Sequence, residues 1–518
     1  MSFFLGIDAG TSGVKAIVID DTGKIRGTGY KECDIITPKP NWVEQNPLDW
    51  WDACKYAISK AVMESGRGKD IIGIGFSGQM QGCTIMDKNM NPVGNCIIWL
   101  DNRATAEVSE IEGLINVTET LGITTSHCMA SYWAPKLLWL KKNRPEDFAK
   151  AHKVLYPKDY LRFMLTGEVA AEVSDSSFSF FVDVPNRKWS DKMFRYTGID
   201  RALVPDRLIE SQDIAGYLKT DLAEEFGMTA GIPVVAGGGD QPCGGVGNGI
   251  VWPGIVSVSI GTSGVVFACG DEPIVDKKKR GSFSLCHSVP GKWAYLSCTL
   301  AAGGSFKWLR DNFFADKKEA LAKEGKDAYD YMTSLAALSK PAAKGLTYLP
   351  YLNGDATPIV DANARGTFFG LSYMHTMGDI CRSVMEGVTY SLRDAIEILR
   401  ELGLNISEVR ASGGGAKSGL WRRIQADIYN ASVVTMNIDE GPAAGAAILA
   451  AVGAGYFGNI EEACGVILKP VSTTDPIPGN AGMYNEFYGT YKQIYANLKD
   501  TFSVQALLVD KFSGSMME

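Results

Sequence analysis

Asp240 is the residue whose neighbours best equip it to act on a proton. It follows a short apolar run, Val234-Val235-Ala236, and three glycines, Gly237-Gly238-Gly239. A lone carboxylate after a glycine turn can stand free in a cleft and take a proton from an attacking group. Taken alone, the plainer reading of Asp240 is a turn acid capping a helix. A second Gly-rich segment then leads to the β-branched run Ile255-Val256-Ser257-Val258-Ser259-Ile260, which ends in Gly261-Thr262-Ser263-Gly264. A hydroxyl-and-glycine turn between strands points N–H groups at an anion. A base and a phosphate cradle thus fall on one stretch, between Asp240 and Gly264.

The elements that must position these groups recur. Phe3-Phe4-Leu5-Gly6-Ile7 reads as a strand, Asp8 to Gly13 as a turn, and Val14 to Ile19 as the returning strand. Gly10-Thr11-Ser12-Gly13-Val14 returns as Gly261-Thr262-Ser263-Gly264-Val265, again between apolar strands. The repeat predicts a duplicated α/β fold with one phosphate hairpin in each half, the two facing each other across a cleft. Asp8 closes the first strand beside its hairpin. A carboxylate is repelled by phosphate, so Asp8 calls for Mg²⁺ or water between the two.

The remaining segments read more simply. Helices are expected over 48–64, 134–144, 216–231, 300–314 and 377–402, with a polar helical region over 317–340 and a Gly/Pro/Asp/Asn loop over 349–365. Strands are expected over 71–76, 97–99 and 409–411. Ser77 to Gly82, Trp99 to Arg103, and the Trp42-Val43-Glu44-Gln45 segment carry polar and aromatic groups near strand ends, where open α/β sheets bind ligands. For Trp42 and Trp99, burial in the core is the competing reading. Ser412-Gly413-Gly414-Gly415-Ala416-Lys417-Ser418, between a strand and a helix, would let a flat ring lie against the backbone. The Ala/Gly run 443–455 predicts a closely packed helix.

The chain has 518 residues, 46% hydrophobic and 21% charged, with a net charge of −8. At ~150 residues per domain this predicts two large lobes or three smaller ones. The acidic balance argues against nucleic-acid and anionic-membrane partners. Eleven cysteines without a CxxC pair and only four histidines argue against a disulfide framework and a zinc site, and for a reducing cytoplasm. MSFFLGIDAG reads as a first strand and not as a signal peptide.

Together these motifs resemble the FGGY carbohydrate kinases, and within them the xylulokinase group. The carriers are Asp8-Ala9-Gly10-Thr11-Ser12, Trp42 with Glu44-Gln45, Ser77-Gly78-Gln79-Met80, Pro135-Lys136-Leu137-Leu138-Trp139, Gly237-Gly238-Gly239-Asp240, Gly261-Thr262-Ser263 and Gly413-Gly414-Gly415-Ala416, with 366–386 fitting the family's C-terminal signature. The resemblance implies an actin-like (RNase H-like) fold, with lobes expected at 1–248 and 249–518 and the last helices packing back on the first. It implies MgATP in the interlobe cleft and transfer of its γ-phosphoryl group to a sugar hydroxyl. Asp240 matches the family's base and Asp8 the residue near Mg²⁺. Trp42, Met80, Gln81, Asp240 and Gln241 match the sugar site. Thr11, Ser12, Lys15, Gly261, Thr262, Gly414, Gly415, Ala416 and Ser418 fall at the nucleotide. D-Xylulose is the leading substrate. Gln81 stands where xylulokinases read His, and Gln241 where they read Asn, so another ketose, a polyol or gluconate is the alternative. A nucleotide switch or a non-catalytic sugar sensor on the same fold is the reading from another class. The expected partner is a small sugar, and self-association as a homodimer is compatible with the resemblance.

Overall fold

Phe3–Ala9 and Gly13–Asp20 are apolar at nearly every position, as strands covered on both faces are. They form β1 and β2, antiparallel, with Asp8 opposite Lys15. The computed structural model describes residues 1–516. After β3 (Ile25–Glu32), helix α1 (Pro47–Ser65) starts at Asn46, whose side chain accepts from Leu48 N, and stops at Gly66 with φ 61°. Then come β4 (Ile71–Gly78), α2 (Trp133–Asn143), β5 (Ile214–Tyr217), β6 (Pro233–Val235) and α3 (Asp240–Gly247). The sheet order is β5-β6-β4-β1-β2-β3, with Gly238–Gly239 also pairing with β4.

The second half repeats the plan. It contains β7 (Ile255–Ile260), β8 (Gly264–Gly270), β9 (Ser282–Cys286), β10 (Trp293–Thr299), α4 (Gly303–Phe313), α5 (Ala328–Ala337), α6 (Met377–Glu401), β11 (Glu408–Gly413), α7 (Gly414–Lys417), α8 (Gly419–Tyr429), β12 (Ser432–Met436), α9 (Gly441–Gly453), α10 (Ile460–Ile467), β13 (Pro470–Thr474) and α11 (Pro478–Met516). Its sheet runs β9-β10-β8-β7-β11-β12-β13. In both sheets an antiparallel hairpin is followed by two parallel neighbours and an antiparallel edge strand. This is the duplicated α/β architecture that the repeat predicts.

Two expectations need correction, the helix over 216–231 and the single helical region over 317–340, and the structure adds detail at two other places. The Gly-rich segment after Asp240 is helix α3, because glycines without Cβ atoms let it meet α9 at backbone distance: a Cβ on Gly445 would lie 1.8 Å from Cys243 O. The helix expected over 216–231 is an edge strand (β5) followed by a short helix, Thr220–Phe226, capped by Gly227 with φ 66°. The polar region 317–340 breaks into Ala315–Lys323 and α5 at Gly325, φ 69°, and Asp327 caps α5 by accepting from Tyr329 N. Of the last three helices, α9 and α10 pack back on the first sheet. Ala443 and Ala446 of α9 lie so close to Gly6 and Gly75 that a Cβ on either glycine would sit 2.0 Å from a carbonyl oxygen. Helix α11 stays with the second lobe, where its Tyr484 donates to Glu386 of α6 at 2.5 Å and its Tyr491 meets Tyr351 at 2.7 Å.

Candidate active site

The end of β1 and the start of β2 bring Asp8, Thr11, Ser12 and Lys15 to one cavity of about 280 Å³. Ser77, beside Asp8 in the parallel register of β4, donates to its Oδ1 at 2.9 Å. Burial pushes Asp8 up to about 6, against the Ser77 bond and the Lys15 charge. Lys15 is ion-paired to Glu440, just ahead of α9, at 2.7 Å.

Asp240 opens α3 and lines a neighbouring cavity of about 310 Å³ with Gln241, Ser259, Gly413, Lys417 and Asp439. Burial, and after it the charge of Asp8, pushes Asp240 up to about 7, while hydrogen bonds from Gln241 oppose the shift. The two acids, both carried by the first half, therefore sense each other's charge. Met80 packs on Gly239, the residue before Asp240: a Cβ there would lie 2.8 Å from the Met80 Cγ. Gln81 holds a left-handed φ of 68°, with its N–H donated to Asp175 Oδ1 at 3.1 Å and its carbonyl accepting from Lys136 Nζ at 2.9 Å.

The two tryptophans separate. Trp99 is 44% exposed and its Nε1 donates to Thr11 Oγ1 at 2.9 Å, which ties it to the hairpin between β1 and β2. Trp42, the residue matched to the sugar, is engaged by its own lobe. The Arg103 guanidinium lies over its ring at 4.1 Å, Lys39 at 4.5 Å, and Trp139 meets it edge-on at 5.0 Å. An indole face attracts cations, so these charges occupy the surface a sugar would need.

The third cavity, about 600 Å³, lies on the second hairpin and the glycine turn of α7. Gly261, Thr262, Gly414, Gly415 and Ser418 line it, and Tyr329 and Trp421 supply aromatic surface. Gly415 has no room for a side chain, since a Cβ would lie 2.7 Å from Ile260 Cβ. The Ser418 hydroxyl also caps α8 by accepting from Trp421 N at 3.2 Å. Ala416 is buried in the core beneath the turn. Gly414 and Lys417 line both this cavity and the one holding Asp240. Lys417 has no ion pair among the described residues, so a cation is left available between the two spaces. It stands in the motif already singled out, but only the fold reveals that it faces both sides. Tyr329 and Asp439 come from distant segments and carry no local signal in the sequence.

Residues 3–247 match the N-terminal domain, and residues 256–454 the C-terminal domain, of the FGGY family of carbohydrate kinases. The chain belongs to this family. As an FGGY kinase it uses ATP to phosphorylate a sugar, and the adjoining cavities have the dimensions for two such substrates. The FGGY chain is 35% identical to a xylulose kinase of Bacillus subtilis, over 96% of its own length and 98% of the relative's. It is 36% identical to a xylulose kinase of Escherichia coli, over 87% and 90%. A solved structure described as a xyloylose kinase from Brucella ovis superposes with a TM-score of 0.87 at 33% identity, covering 96% of this chain and all of that one. Among the described residues no helix is long and apolar enough to cross a membrane.

Proposed function

We propose that this FGGY kinase transfers the γ-phosphoryl group of MgATP to a hydroxyl of D-xylulose, with Asp240 as the general base. The observation that carries the reading is the juxtaposition of two cavities sharing Gly414 and Lys417, one containing a half-buried carboxylate raised to about 7 and the other lined by the second hairpin and the glycine turn of α7. The xylulose kinases related over nearly the whole chain favour the ketopentose. The free state of all eleven cysteines suits a reducing cytoplasm.

Phosphoryl transfer depends on positioning and on charge stabilisation. Asp240, ionised, accepts the proton of the attacking hydroxyl as that oxygen bonds to phosphorus. Met80, Gln81 and Gln241 border the sugar, and Trp99 closes it toward the hairpin. Thr11 and Thr262 donate to phosphate oxygens from opposite sides. Lys417 offsets the charge on the group in transit. Among the described residues no three His, Cys, Asp or Glu side chains converge on one point, which suits an ion held largely by phosphates and water with the half-buried Asp8 beside it. Bound there, Mg²⁺ would neutralise the β- and γ-phosphate oxygens. Glutamine at 241 keeps an amide, and glutamine at 81 keeps a hydrogen-bonding group in place of a titrating ring.

The test is ADP release from MgATP with D-xylulose, other ketopentoses, polyols, gluconate and glycerol. D-Xylulose is expected to stimulate turnover most, and Asp240→Ala to lower it by about 10²–10⁴-fold with ATP binding retained. Near-normal turnover in that variant would sink the assignment of the base. Preference for another sugar would redirect the substrate to that compound and leave the base in place.

A further inference from the structure

Lys136 is fully buried, yet among the described residues no carboxylate pairs with it. Its Nζ donates instead to three main-chain carbonyls: Gln81 at 2.9 Å, Ile97 at 3.1 Å and Ile98 at 3.0 Å. An ammonium has three protons and no acceptor, so it is saturated by these groups. The carbonyls belong to two separate segments, the turn carrying Met80 and Gln81 and the strand end running into Trp99. One helical turn earlier on α2, Trp133 Nε1 donates to Gly82 O at 2.7 Å, and its ring stacks on Tyr156 at 3.9 Å. The inner face of α2 therefore takes two consecutive carbonyls of the turn. From the far side Asp175 takes the Gln81 N–H at 3.1 Å.

The arrangement accounts for the backbone of Gln81. A left-handed φ on a residue other than glycine costs about 1 kcal/mol or more and persists only where the surroundings over-determine it. Here both polar groups of the Gln81 main chain are fixed by buried side chains. A lysine is a costly choice for this task. Burial pushes its ammonium down to about 8, and an aliphatic side chain would fill the same space without that penalty. Only a cation with three donors can hold all three carbonyls at once.

We propose that Lys136, aided by Trp133, is a positioning residue for sugar recognition. Through main-chain carbonyls it sets the Met80-Gln81 turn against the Trp99 segment and so fixes the spacing of the two walls between which the sugar sits. The proposal rests on the reading of these walls as the sugar site. It acts on no reacting atom, and the second lobe with its nucleotide cavity lies outside its reach.

The experiment measures kcat and the KM for sugar and for MgATP in Lys136→Met, with the best substrate of the wild-type panel. The sugar KM is expected to rise about tenfold or more, as befits the loss of hydrogen bonds to a charged donor, with the ATP KM within about twofold of wild type. A purely structural lysine would lower kcat through a smaller active fraction and leave both KM values alone, and that result overturns the proposal. If Lys136→Met fails to fold, Trp133→Phe keeps the stacked ring and removes only the donor to Gly82. A sugar KM raised about threefold or more with an unchanged ATP KM supports the proposal, and an unchanged sugar KM overturns it. A wild-type enzyme that no sugar stimulates removes the sugar-site reading itself, which separates the two failures.

Discussion

At Asp240, burial and a neighbouring negative charge act in the same direction, and the outcome is a carboxyl raised to about 7. A base must be ionised to work, so kcat/KM for the sugar is expected to fall about tenfold per unit below pH 7. The pH–rate profile reads this directly, and a flat profile between pH 5.5 and 7.5 would count against Asp240. The same shift has a consequence for stability. The folded value lies above the ordinary 3.8, so between 3.8 and about 7 the native state keeps a proton that the unfolded chain has released. The contribution of this group to stability therefore declines as pH rises through that window, and above it the charge is a net cost. Asp240→Asn is expected to raise Tm at pH 8, with the gain shrinking toward pH 4, while turnover is lost. The acids were legible because each sits at the end of an apolar run and close to glycines. Trp42 and Trp99 were not separable, since composition does not say which indole is covered by arginine and which is left facing a hairpin.

At the scale of elements, α3 and α9 meet at backbone distance through their glycines. A Cβ on Gly445 would lie 1.8 Å from Cys243 O, and one on Gly247 would lie 1.9 Å from Gly441 O. Neither partner is a flexible side-chain end, so the helices would have to separate. Gly445→Ala is expected to destabilise the protein by about 1–3 kcal/mol or more, measured by denaturant unfolding. An alanine tolerated without loss would mean that the helices do not meet at backbone distance. The packing role of the Ala/Gly helix could be read from its small residues. The helical state of 240–247 could not, because glycines supply no hydrophobic period and have poor intrinsic helix propensity. The segment is helical because the tertiary contact requires a backbone without side chains. The edge strand β5 follows from its pairing with β6, whereas the break at Gly325 is made locally, by a left-handed glycine and the Asp327 cap.

At the scale of the molecule, the repeated hairpins disclosed the duplication, and the two sheets share one order of parallel and antiparallel neighbours. The crossing of α9 was harder to place, since nothing local says which sheet a small-residue helix covers. Its position bears on any attempt to divide the chain. A fragment ending at residue 248 retains the first sheet but loses the helix that lies against Gly6, Gly73 and Gly75. That fragment is expected to aggregate or to lack near-ultraviolet circular dichroism. A monodisperse, cooperatively unfolding fragment would show that the sheet is stable without α9.

The position of α9 also sets a timetable for synthesis. Strands β1, β2 and β4 leave the ribosome early, while the helix that covers their glycine face follows only after residue 453. At about 5–20 residues per second, the delay lasts on the order of tens of seconds. During that interval the nascent sheet presents a bare apolar groove to the cell, which makes this face the natural place for a chaperone to wait.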